Sequence, residues 1–149
     1  MNIISKALAL LVAFAFVGCV AHSGGGPSTA VATSNKPITI TSPATLSNVS
    51  SPLKVCMATK GYTVEPAKKG VNPGKGHHHL LIDVSIPSDL SKRIGKDSNH
   101  VHMGDGSKCK TLNLAKGQHT ITALFAQGNH VPYNPVVSDA VTVTVTHVK

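Results

Sequence analysis

The clearest pattern in the chain lies near its C-terminus. Val141, Val143 and Val145 alternate there with Thr142, Thr144 and Thr146, the period of two expected of a strand with one buried face. A helix would spread both residue types around its whole circumference. Shorter β-type runs precede it: ITIT at 38–41, LKVCMA at 53–58, YTVEP at 62–66 between Gly61 and Pro66, and HHLLIDVSI at 78–86, stopped by Pro87. From Pro87 to Gly106 the periodicity disappears, which predicts a long surface loop with one helical turn at 88–94. KCKTLNL at 108–114 and HTITALFA at 119–126 alternate about the turn AKGQ and predict a hairpin. The longer turn QGNHVPYNP then leads into the final strand. No segment carries the apolar spacing of a three-turn amphipathic helix. The expectation is an all-β domain over residues 37–149, an immunoglobulin-like antiparallel β-sandwich of about seven strands, with an eight-stranded barrel as the alternative.

The first residues follow a different rule. MNIISK carries one cation, Lys6, and residues 7–21 are apolar apart from Gly18. That run is short for a bilayer span and suits the core of a secretory signal. Two processing outcomes fit. Cys19 and Ala21 would allow a cut before His22, whereas FVGC at 16–19 resembles a bacterial lipobox in which Cys19 becomes acylated. On the second reading residues 1–18 are the signal peptide, and the Gly-, Ser- and Thr-rich stretch 19–36 is a flexible tether to a membrane. Either outcome places the chain in the periplasm, lipid-anchored or soluble. Export also changes the meaning of the two remaining thiols, since Cys56 and Cys109 can form a disulfide in an oxidising compartment. The alternative is two separate buried thiols. No CxxC occurs, so thioredoxin-like redox chemistry has no support.

Charge and composition narrow the partners. Fourteen Lys and Arg against six Asp and Glu give a formal charge of +8 with nine His neutral. This directs the chain toward anionic envelope surfaces. Beyond the leader the only aromatics are Tyr62, Phe125 and Tyr133, too few to stack a row of bases, which argues against nucleic acid.

Nine His in 149 residues is the most unusual feature. They fall as His77-His78-His79, His100-x-His102, His119, His130, and the outlying His22 and His147. In an extended segment His77 and His79 share one face with Leu81 and Asp83, while His78 shares the other with Leu80 and Ile82. His100 and His102 likewise point one way. Two such pairs on neighbouring β segments, with His130 as a further member, could ligate Cu, Zn or Ni in a pocket at one end of the sandwich. Asp83 would orient one of those imidazoles, with His78 and His119 in support. The competing reading makes the histidines hydrogen-bonding hubs that only maintain the fold, as in a structural envelope protein.

Catalytic patterns are scarce. Glu65 is the only Glu and lies between Val64 and Pro66. No GxSxG, HExxH or GxxxxGK[ST] occurs, so a non-catalytic binding module is expected. The segments GYTVEPA at 61–67, GKGHHHLLID at 74–83, HVHMGDG at 100–106 and KGQHTITALFAQGNHVPYNPVVS at 116–138 together resemble a family of small exported bacterial domains, domain of unknown function 4399. The resemblance spans about residues 53–147 and implies an immunoglobulin-like periplasmic sandwich without an established activity. It also implies a polar set of His77, His78, His79, Asp83, His100, His102, His119 and His130. Two positions depart from the family pattern: Tyr133 stands in place of a His and Val136 in place of a Pro.

Overall fold

The computed structural model describes residues 35–149; the expected signal peptide, Cys19 and the expected tether through residue 34 lie outside the described residues. Nine strands form among the described residues: β1 (Ile38–Ser42), β2 (Ser47–Ser51), β3 (Leu53–Thr59), β4 (Thr63–Val64), β5 (Lys75–Ile82), β6 (His100–His102), β7 (Cys109–Leu112), β8 (Gly117–Ala126) and β9 (Ser138–Val148). The one helical element among the described residues is a 3-10 turn at Ala67–Lys69. The smaller sheet has the order β1-β3-β7. The larger, open sheet runs β2-β9-β8-β5-β4, with β6 also paired to β5.

The all-β expectation holds, and four details differ from the sequence reading. The strands number nine rather than about seven. β2 has only Val49 as an apolar signal in SNVSS, and β6 is three residues recruited from the expected loop to satisfy the free edge of β5. The sheets are not wholly antiparallel, because β2 pairs parallel with β9 and β4 parallel with β5. The expected hairpin is absent: β7 pairs with β3 in the smaller sheet, while β8 joins β5 and β9 in the larger. Leu112 and Leu114 enter the core from the first sheet and Ile121 from the second, so the AKGQ segment crosses between layers. Finally, residues 88–94 hold no helical turn, only an isolated bend at 89–92 closed by a long Lys92 N–H to Asp89 carbonyl contact of 3.4 Å.

One core lies between the sheets. Ile38, Ile40, Leu53, Val55, Met57 and Leu112 face Leu80, Ile82, Ile121, Ala123, Phe125 and the three alternating valines of β9. Cys56 and Cys109 stand opposite each other across β3 and β7 and form a disulfide, Cα to Cα 4.1 Å.

A second, smaller apolar cluster lies on the other face of the larger sheet. It comprises Leu81, Leu124 and Ala126 from the strands, and Ile94 from the segment that crosses over them. Both faces of β5 and of the last six residues of β8 are therefore buried. The outer face is the one that carries His77 and His79.

Candidate metal centre

β5 sorts its histidines by the alternation of a strand. His78 takes the inner face, its ring 5.2 Å from that of Phe125, in step with Leu80 and Ile82. His77 and His79 take the outer face beside Leu81, opposite Ala126 and Leu124 of β8. β6 returns antiparallel, so that His102 pairs with His79 and His100 with Leu81. His130 arrives from the turn after β8. Its N–H donates to the Gln127 carbonyl at 2.8 Å, and its φ of 68° places it in the left-handed region that non-glycine residues rarely occupy.

Four imidazoles converge as a result. His77, His79, His102 and His130 each offer a ring nitrogen, and these nitrogens all lie within 4.8 Å of one another. His77 Nε2 is 3.1 Å from His130 Nδ1 and 3.1 Å from His79 Nε2. The His102 and His130 rings are 4.6 Å apart. A tetrahedral ion with metal–nitrogen bonds of about 2.0–2.1 Å holds its ligand atoms roughly 3.3 Å apart, close to the two 3.1 Å contacts of His77.

The protonation chemistry of the group points the same way. A neutral imidazole has one N–H and one lone pair. His77 Nε2 faces two other ring nitrogens, and whichever form it takes it cannot hydrogen-bond well to both. An ion accepts every inward lone pair at once. Burial, followed by the neighbouring imidazoles, lowers the His77 pKa from the ordinary 6.5 to about 4 and that of His79 to about 3. Burial and His130 lower His102 as well. The His77, His79 and His102 rings are thus held neutral, the state that ligates.

Packing holds the rings in place, because few hydrogen bonds from the rest of the protein reach their nitrogens. His77 Nδ1 and His79 Nδ1 are buried without a partner among the described residues, as is His102 Nε2. Gly104 lies directly beneath the His102 ring, and a Cβ there would overlap it. Residues 83–99 cross the outer face, and the Ile94 N–H donates to the His130 carbonyl at 2.9 Å. A cleft of about 180 Å³ remains between this crossing segment and the turn, lined by His79, Ile94, Gly95, Lys96, His102 and His130.

The remaining expected site residues lie elsewhere. Asp83 does not orient a member of the group. It ends β5 with a φ of 58°, and its carboxylate accepts the His119 Nδ1–H at 2.7 Å and the Thr120 N–H at 2.8 Å. His119 also donates from Nε2 to the Ala115 carbonyl at 2.9 Å. Two acceptors on one ring favour the imidazolium, so its pKa is raised, chiefly by the bond to Asp83. His78 is on the wrong face. His100 stands on the correct face but outside the four, its Nδ1 donating to Asp97. The site itself sits on the outer face of the larger sheet rather than at one end of the sandwich, because β5 is buried on both sides along its length. A larger depression of about 550 Å³, bordered by Asp83, Val84, Ser85, Ile86, Thr120 and Thr122, has as its only ionisable group an aspartate already engaged. Sequence reasoning missed Asp97, whose spacing of three before His100 was the available signal. It also missed Gly104 and the lining residues Ile94 to Lys96, for which the sequence carries none.

No curated protein matches the chain significantly. Among solved structures, a fibronectin(III)-like module of CbhA from Clostridium thermocellum is similar at 13% identity, covering 75% of this chain and 99% of that one with a TM-score of 0.43. The model of one uncharacterised family matches residues 55–146, which contain all four converging histidines, and the chain therefore belongs to DUF4399, a domain of unknown function.

Proposed function

We propose that this domain is a binding module for a transition-metal ion, held by His77, His79, His102 and His130. The observation that carries the reading is the convergence of four ring nitrogens within 4.8 Å in a largely buried setting that leaves His77 Nδ1, His79 Nδ1 and His102 Nε2 without a partner among the described residues. Imidazole donors without thiolate or carboxylate suit Cu, Zn and Ni, with Cu(II) bound tightest when supply is equal. The proposal includes an immunoglobulin-like sandwich over residues 37–149, exported behind a signal peptide at 1–18 and tethered through residues 19–36 to a lipid on Cys19. The Cys56–Cys109 disulfide supports an oxidising compartment. The charge of +8 supports contact with anionic envelope surfaces.

Metal-stripped protein, purified without a His-affinity step, is titrated calorimetrically with Cu(II), Ni(II) and Zn(II). One ion per chain is expected, with a Kd below about 10 μM. His77→Ala and His102→Ala should each weaken binding by roughly a hundredfold, the upper end of what losing even an outer partner of a metal site costs. No binding, or binding unchanged in both variants, leaves the histidines as a packing device in a structural envelope protein.

A further inference from the structure

His100 is built differently from the four converging histidines. It lies on β6 two residues before His102 and on the same face, paired with Leu81 where His102 is paired with His79. The His79 and His77 side chains are fully buried, whereas the His100 side chain is 24% exposed and its partner Asp97 58%. Both carboxylate oxygens of Asp97 lie close to His100 Nδ1, at 2.9 and 3.0 Å. A carboxylate can only accept, so the ring proton sits on Nδ1 and the neutral ring keeps its lone pair on Nε2. Asp97 is itself fixed, since one of its oxygens accepts the N–H groups of Asn99 at 2.7 Å and His100 at 2.9 Å. A carboxylate holding the far nitrogen of an imidazole is the arrangement that orients histidines toward metals. Here it belongs to an imidazole that is partly open to solvent.

We propose that His100 is a loading ligand, which captures a metal ion from solution at Nε2 and passes it to His102 and the buried set. This rests on the metal-binding reading above. The Asp97 carboxylate supplies a negative charge at the surface, opposing the cation Lys96 that lines the cleft. An incoming cation is therefore drawn to the His100 side. It exchanges bound waters for ring nitrogens one at a time as it moves inward. A ligand used only in transit changes the rates of loading and release together and leaves the equilibrium untouched, because both directions cross the same step.

The test follows Zn(II) alone by stopped flow, first loading metal-stripped protein and then removing the ion with a chromophoric chelator. His100→Ala should slow both loading and release by roughly tenfold, within the range that mutations at one interface change association rates, while Kd stays within about twofold of the parent. His100→Asn separates ligation from structure. Its amide nitrogen takes the place of Nδ1 and can still donate to Asp97 but offers no imidazole lone pair, so it should be as slow as His100→Ala. Parent-like rates in His100→Ala, or rescue by His100→Asn, overturn the proposal, as does a loss of affinity matching that of His77→Ala. If the parent takes up no Zn(II), Cu(II) or Ni(II), the failure belongs to the underlying metal-binding reading, and the loading role falls with it.

Discussion

His78 shares a strand with His77 and His79 but meets the opposite face of the sheet. Both of its ring nitrogens are buried without a partner among the described residues, and burial, with Lys108 adding to it, lowers its pKa to about 4. An unsatisfied buried polar group costs roughly 1–3 kcal/mol, so His78→Leu should stabilise the fold by about 1 kcal/mol. Urea denaturation measures this, and a loss of stability would show that the ring has a polar role. The same variant should leave metal affinity unaltered, since the ring faces the core. This division of faces was legible in the sequence, because side chains alternate along a regular strand and β5 pairs with β8 without a register shift. His130 was expected as a further member and does join the group, but the backbone route that brings it there was not legible. It depends on one residue adopting a φ of 68° in a turn, which no periodicity encodes.

Strands were easier to read than their partners. The runs that became β1, β3, β5, β8 and β9 were visible as alternation or apolar stretches, and the return of HVH alongside HHH followed from the i,i+2 spacing. The hairpin was misread because AKGQ has turn chemistry whichever sheet its flanking strands join; Leu112, Leu114 and Ile121 reach the same core from opposite layers. The disulfide belongs to this level too. It ties β3 to β7 in the smaller sheet across a separation of 53 residues, worth about 4 kcal/mol in the chain-entropy model. Replacing both Cys56 and Cys109 by Ala should therefore lower unfolding free energy by about 2–4 kcal/mol, read from denaturation midpoints. Metal affinity should persist in the folded variant, as every converging histidine is carried by the larger sheet or the turn following β8. Loss of binding in a variant that still folds would show that the two sheets are coupled.

For the whole molecule, the buried imidazoles predict acid sensitivity of the metal-free protein. His77, His78 and His79 have folded pKa values of about 4, 4 and 3, below the ordinary 6.5. As pH falls below about 6.5 the unfolded chain takes up protons that the folded chain refuses. Stability is thus complete above that pH and declines toward pH 4, by up to about 1.4 kcal/mol per pH unit for each such histidine. His119 runs the other way: its raised pKa contributes stability that is present at low pH and lost as pH rises through its folded value. Thermal melts of metal-stripped protein between pH 7 and 4.5 should show a steep fall in Tm, and a flat profile would contradict the burial of these rings. The placement of the site on β5 has one more consequence. Even-numbered positions 78, 80 and 82 face the core, whereas odd-numbered 77 and 79 face the crossing segment. Chemistry and foldability are thereby written on alternate letters of one short word. In a chain drifting under mutation, the odd letters can be rewritten to alter the histidine cluster while the even letters keep the core packed.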